Sequence, residues 1–468
     1  MAQLNLTSEF VSSWRATDGN VNSTADILAW VAELNNSTQV AIAETSVDSD
    51  SFWFYDDYAG EILNRKRAFF SIKGMRLFED GQFVREQPII FQQEIGYLGI
   101  ACRMIDGVLN FLMQAKIEPG NLNCVQISPT IQATKSNFLR AHGGQLPAYF
   151  DMFANAAQQH TVIYDQIQSE QATRFFRKRN RNMIILVDDE FEVLPNFRWM
   201  TLGQIKELLK HDNLVNMDAR TVLSGIPLAT GQLSEADRKA LRQDFSDDAT
   251  YRSWFDSSYG ADLPNLYQSI NDFKMFRDVQ RVPVPLNQLV DWTVDDYGIT
   301  CKAPADFDVR YYNIEISGRE VRHWMQPLFR ALGEATFVLV SRVHHGMRQF
   351  LIRATPEIGA FDKVEFGPTV QWEPTHNHGD DDEVERLVAE RLMATSSPGM
   401  ICDVMLSEEG GRFYHEQNRN VVLEVAPDEL TRLPTGYHWV DLYTLNLLAQ
   451  VNNQLNIQLR NLISLLPL

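Results

Sequence analysis

The sequence predicts an α+β protein in which one domain is written twice, each copy a mostly antiparallel sheet flanked by helices. Three observations carry this. At a constant offset of 239, residues 87–137 overlie 326–376 with thirteen of fifty-one positions identical, where chance would give about three. At offset 238, DQIQSEQATRFFRKRNRN from Asp165 matches DVMLSEEGGRFYHEQNRN from Asp403 at eight of eighteen positions. At offset 240, Trp199, Leu202, Asn216 and Arg220 overlie Trp439, Leu442, Asn456 and Arg460. The duplication spans nearly the whole chain, since Trp53 also faces Trp292. Its join is expected in the polar stretch from Leu228 to Lys239, giving domains 1–232 and 233–468, each long enough to bury its own core.

Within a copy the elements follow from local pattern. TADILAWVAELNN places Ile27, Trp30, Val31 and Leu34 on one helical face behind a capping Thr24. From Gly96 to Gln132 the chain breaks into runs of five to eight residues at Asp-Gly and Pro-Gly-Asn turns, the pattern of consecutive antiparallel strands. TLGQIKELLKHDN then starts on a capping Thr201 and presents Leu202, Ile205, Leu208 and Leu209 to one side. The last stretch of the second copy repeats this period with Leu455, Leu459, Leu462, Ile463 and Leu466. A twofold pseudo-symmetric pair is the natural packing for two such copies.

Bulk properties narrow the class. The 468 residues are 44% hydrophobic and 22% charged, with no apolar run able to span a bilayer, so no membrane anchor is expected. MAQLNLTSEFVSSWRATDG lacks a basic n-region and an apolar h-region, and a cytoplasmic location is expected. Cys102, Cys124, Cys301 and Cys402 show no zinc spacing and read as free thiols. A net charge of −19 argues against nucleic acid as a partner. There is no P-loop, no GxGxxG after a strand, no GxSxG elbow and no HExxH, so neither redox cofactors nor familiar nucleophiles are advertised.

The exception to the acidic balance is RFFRKRNRN. As a strand it would point Arg177, Arg179 and Arg181 one way and Lys178 and Asn180 the other, a cationic row suited to a diphosphate. The competing reading is a solvated basic edge strand. In the second copy Arg174, Asn180, Arg181 and Asn182 persist as Arg412, Asn418, Arg419 and Asn420, while Arg177, Lys178 and Arg179 become His415, Glu416 and Gln417. An extended Pro-Thr-x-Gln puts Thr130 beside Gln132, and Thr369 beside Gln371, able to read a base edge or sugar hydroxyls or simply to pair across the sheet. Glu118 and Glu357, each two residues before a glycine, are candidate general bases or hairpin caps. His142 in RAHGG joins them, as do Glu373 and His376. THNHGDDDE lacks a defined ligand set and is not read as a metal site.

MQAKIEPGN, SPTIQATKSN, RAHGG, QSEQ, FFRKRNRNM and HDNLVNMDARTVLS, taken in order, resemble the NDP-hexose 2,3-dehydratase family of deoxysugar biosynthesis. The resemblance implies a Nudix-like fold in each half, a homodimer, and a dTDP-linked 4-keto-6-deoxy-hexose as substrate. It also implies loss of water across C2 and C3, a 3,4-diketo-2,6-dideoxy sugar as product, and a 3-ketoreductase that consumes it. No cofactor is expected, and the acidic stretch from Asp380 to Met393 lacks the metal-holding box of Nudix hydrolases. The first copy keeps the full cationic row and is favoured for nucleotide-sugar binding, whereas the second offers Glu373, His376 and Glu416 as titratable groups. The rival reading is a non-catalytic nucleotide-sugar-binding protein.

Overall fold

The computed structural model describes residues 6–48, 50–138, 146–228, 233–256, 263–317, 321–394 and 398–467. Two sheets with the same connectivity form its centre. In the first, the strands run in the order Thr161–Ser169, Arg179–Leu186, Gly96–Ile105, Val108–Ile117, Phe197–Thr201, with Val125–Ser128 and Ile131–Ala133 attached to the two central strands. In the second, the order is Met400–Ser407, Gln417–Glu424, Thr336–His344, Met347–Thr355, Glu365–Gly367, with Val370–Trp372 and Tyr437–Val440 attached. Among the described residues each sheet contains a single parallel strand pairing, between Arg179–Leu186 and Gly96–Ile105 and between Gln417–Glu424 and Thr336–His344. The hairpins turn at Asp106 and Gly107 and at His345 and Gly346, all at positive φ, as a two-residue turn demands.

The helices start where their capping chemistry places them. Helix Leu202–Leu208 begins on Thr201 in a capping box with Gln204 and buries Leu202, Ile205 and Leu208. Helix Thr24–Ser37 is capped by Ser23 with Asp26 rather than by Thr24, because the serine hydroxyl lies one residue earlier and reaches the N3 amide. Its buried face is Ile27, Trp30 and Val31, as the spacing requires.

Two smaller sheets exchange strands. Val40–Glu44 from the first half pairs with Phe307–Ile316, and Val279–Val284 from the second half pairs with Ser71–Glu79. The halves also share one core. A continuous apolar cluster runs from Phe10 and Val11 through Phe111 and Leu223 to Phe337, Leu445 and Leu462. Two separately closed cores were expected. The exchanged strands and the packing of helix Met217–Leu223 on helix Ile457–Leu465 join them instead. Arg220 and Arg460, 1% and 0% exposed, sit at this junction. Arg220 donates to the carbonyls of Val215 and Ser407, both at 2.8 Å, and Arg460 donates to Thr221 Oγ1 and the Ser169 carbonyl. Each arginine thus holds the strand end that leads into the other half's functional loop.

Candidate functional site

Residues 170–178 and 408–416 are equivalent loops, and each packs on the other half. Gly120 N–H donates to the Gly410 carbonyl at 2.7 Å, and its own carbonyl accepts from His415 N–H at 2.9 Å. The twin contact joins Gly359 to Ala172 and Arg177 in the same way, at 2.7 Å each. A Cβ on Gly120 would lie 1.5 Å from the Phe413 carbonyl oxygen, and one on Gly359 would lie 1.9 Å from that of Phe175. Only glycine admits this approach, which is why both copies carry it.

These contacts define two composite pockets. In one, Glu118 Oε1 lies 3.0 Å from Lys116 Nζ and accepts from Gln132 Nε2 at 3.2 Å. Gln132 Oε1 in turn accepts from Asn216 Nδ2 at 3.2 Å, and Asn216 caps helix Met217–Leu223. In the other, Glu357 accepts from Gln371 at 3.0 Å, and Gln371 accepts from Asn456, the cap of helix Ile457–Leu465, also at 3.0 Å. The Glu–Gln–Asn chain is the same twice, so helix starts orient both carboxylates. Burial pushes Glu357 up to about 7.

The visiting loops differ. Beside Glu118 stand Glu409, Gly410, Gly411 and Arg412; beside Glu357 stand Gln171, Ala172, Thr173 and Arg174. The Arg412 guanidinium lies 4.4 Å over the Phe70 ring and, among the described residues, donates to Gln92 Oε1, at 3.0 and 3.3 Å, and to the Gly411 carbonyl. Arg174, over Phe307, is ion-paired with Glu373 at 3.1 Å and faces Glu416 at 3.9 Å. Lys178 Nζ donates to the Glu94 carbonyl at 2.6 Å, and burial lowers its pKa. Where the Glu118 pocket has the Glu170 and Lys178 pair, the twin pocket has Glu408 and Glu416, raised to about 8 and about 7 by burial and then by mutual repulsion for Glu408.

Several expected site residues stand elsewhere. RFFRKRNRN is not one strand. Residues 174–178 form the exchange loop, Arg177 takes a left-handed φ of 53°, and only Arg179 onward enters the sheet, so the cationic row breaks up. Arg177 and Arg179 lie over the rings of Phe176 and Phe361. Arg181 grips Asp165 at 2.7 and 2.5 Å, and Arg419 grips Asp403 at 2.9 and 2.7 Å, on the sheet face opposite the loops. Asn180 and Asn418 hold Glu170 and Glu408, the first loop residues, at 2.5 and 2.8 Å. Asn182 and Asn420 donate to the carbonyls of Asn180 and Asn418. What persists in both copies is therefore the loop's mounting.

Thr130 and Thr369 are also corrected. Each hydroxyl accepts a backbone N–H, from Ala101 at 2.9 Å or Val340 at 2.8 Å, and spends its one proton on the carbonyl of Leu112 or Leu351, in side chains 1% and 0% exposed. Nor do Glu118 and Glu357 cap their hairpins, since their carboxylates accept from side chains. His376 and His378 share the carboxylate of Asp381 at 2.5 and 2.8 Å, and the three ligand atoms lie within 4.8 Å of one another. A common partner set thus exists where none was expected, and it fixes His376 against Trp372. His142 lies outside the described residues. A cavity of about 340 Å³ lined by Asp247, Arg348, Met400 and Leu466 shares no residue with either pocket.

Glu409, Arg412 as a cation without a carboxylate partner among the described residues, Lys116 and Asn216 were not singled out by sequence reasoning. Comparing the loops position by position signals them, because Gln171 to Glu409 and Ala172-Thr173 to Gly410-Gly411 are the exchanges that alter chemistry and space.

A duplicated α+β scaffold thus carries two composite sites lined by carboxyls, and in one of them the Arg412 guanidinium has no carboxylate partner among the described residues. The chain belongs to the NDP-hexose 2,3-dehydratase family, whose model matches residues 24–226 and again 264–466. It is 35% identical over 449 residues to the dTDP-4-dehydro-6-deoxy-alpha-D-glucopyranose 2,3-dehydratase of Streptomyces violaceoruber, covering 95% of this chain and 97% of the relative. It is 34% identical over 468 residues to the enzyme of the same description from Saccharopolyspora spinosa, covering 98% and 94%.

Proposed function

We propose that the protein is a hydro-lyase that removes water across C2 and C3 of dTDP-4-keto-6-deoxyglucose in deoxysugar biosynthesis, with the reaction in the Glu118 pocket. The full-length likeness to the named dehydratases supports the activity. The observation that favours this pocket is the state of the arginines: Arg412 has no carboxylate partner among the described residues, whereas Arg174 is neutralised by Glu373.

In this reading Arg412 and Lys178 take the diphosphate, whose binding energy orients the hexose. Glu118, held through Oε1 by Lys116 and Gln132, keeps its other oxygen for the C3 proton, which the C4 ketone makes acidic. The enolate expels the C2 hydroxyl, and the resulting enol tautomerises to the 3,4-diketone. Such a vicinal diketone is labile, which fits prompt reduction by a 3-ketoreductase. A Nudix-like fold for each half and a homodimer belong to the same reading on the family resemblance alone, and light scattering on the purified chain tests the dimer. The Glu357 pocket keeps the Glu–Gln–Asn chain without Glu409 and the two glycines and is read as a retained binding site.

The test is turnover of dTDP-4-keto-6-deoxyglucose with the diketone trapped by o-phenylenediamine as a quinoxaline. No trapped product from a chain that still binds dTDP would leave the non-catalytic binder as the better reading.

A further inference from the structure

The loop crossing from the second half brings a second carboxylate to Glu118. A Cβ on Gly411 would lie 2.2 Å from Glu409 Oε1 and 3.4 Å from Glu118 Oε1, so the two carboxylates close in on the same side of this glycine, where a side chain would push between them. The Glu409 carboxylate has no hydrogen bond among the described residues, while Glu118 Oε1 has Lys116 and Gln132. The groups acting on Glu409 are Glu118, Arg412, Glu170 and Lys116, and burial followed by the facing Glu118 pushes its carboxyl up to about 7. The twin loop has Gln171, Ala172 and Thr173 here, with an amide that cannot give up a proton and side chains at the two positions where this loop has glycine. Two neighbouring carboxyls of unlike environment are the arrangement in which one serves as base and the other as acid.

We infer that Glu409 is the general acid that protonates the departing C2 hydroxyl, a catalytic residue delivered to the Glu118 pocket by the opposite half of the chain. This rests on the placement of the reaction in that pocket. The Glu118 carboxylate takes the proton from C3, and the C–H electron pair becomes the C3–C4 double bond of the enolate, with charge on the C4 oxygen. Collapse of the enolate restores the C4 ketone and forms the C2–C3 double bond. The C2–O bond breaks with its electrons on oxygen, and the Glu409 proton completes the water. Glu118 ends protonated and Glu409 ionised; no electrons are gained or lost overall, and tautomerisation of the enol leaves the balance unchanged.

The two steps separate in deuterium oxide, where wash-in at C3 reports proton removal and quinoxaline trapping reports elimination. Glu409→Gln is expected to keep C3 exchange and dTDP affinity while elimination falls about 100-fold or more, the scale of one acid catalyst. Glu409→Asp, which retains an acid, is expected to recover part of the elimination. Normal elimination in Glu409→Gln, loss of exchange together with elimination, or no recovery in Glu409→Asp would each overturn the assignment. Glu118→Gln tests the underlying reading separately: if that variant still exchanges C3, Glu118 is not the base, whatever Glu409 does.

Discussion

At the scale of single residues, function divides between side chains that are mounted and side chains that are left free. Arg181 and Arg419 each spend both ends of the guanidinium on one aspartate, whereas Arg412 spends its own on a neutral amide and a carbonyl. Arg412→Ala is therefore expected to weaken dTDP binding about tenfold or more, as loss of a charged hydrogen bond requires. Arg181→Ala is expected to change it less than threefold, and isothermal calorimetry on the two variants checks both. Buried carboxyls set a pH dependence. Burial pushes Glu365 and Glu408 up to about 8, so above about 4.3 the folded chain keeps protons that the unfolded chain releases. Their contribution to stability is then full below that range and is lost as pH rises through about 8. A Glu365→Gln, Glu408→Gln double variant is expected to show a flatter decline of Tm between pH 5.5 and 8.5.

At the scale of elements, the exchange loops stay in place because a glycine turn receives them. Gly120→Ala would drive a methyl into the Phe413 carbonyl, and backbone cannot yield as a side-chain tip can. The expected outcome is a loss of about 2 kcal/mol in urea unfolding, with turnover falling further than stability alone explains. The helices and hairpins were legible in advance, since the Thr201 cap, the 3.6-residue spacing and the Asp-Gly turns are local signals. RFFRKRNRN was misjudged for the converse reason. Alternation suggests a strand, but Phe175 and Arg177 take their backbone partners from Ile90 and Gly359, residues remote in sequence, and that pairing bends the chain.

At the scale of the molecule, the repeat is neither two beads nor one merged domain. Exchanged strands, exchanged loops and the continuous core tie each half to the other. Calorimetric unfolding is expected to give a single cooperative transition, and two resolved transitions of comparable enthalpy would contradict this coupling. By itself the sequence determined the duplication, the order of elements, the family, and the repetition of Glu118 as Glu357 and of Gln132 as Gln371. These are readable because identity, periodicity and capping are properties of neighbouring residues. Only the tertiary structure decided which carboxylate meets which, because Glu118 and Glu409 lie far apart along the chain and face each other only through a loop crossing between halves. It also decided that Asn180 and Asn418 mount the exchange loops while the Arg181 and Arg419 forks are spent on the far sheet face, since a guanidinium's role depends on whether an aspartate has reached it first.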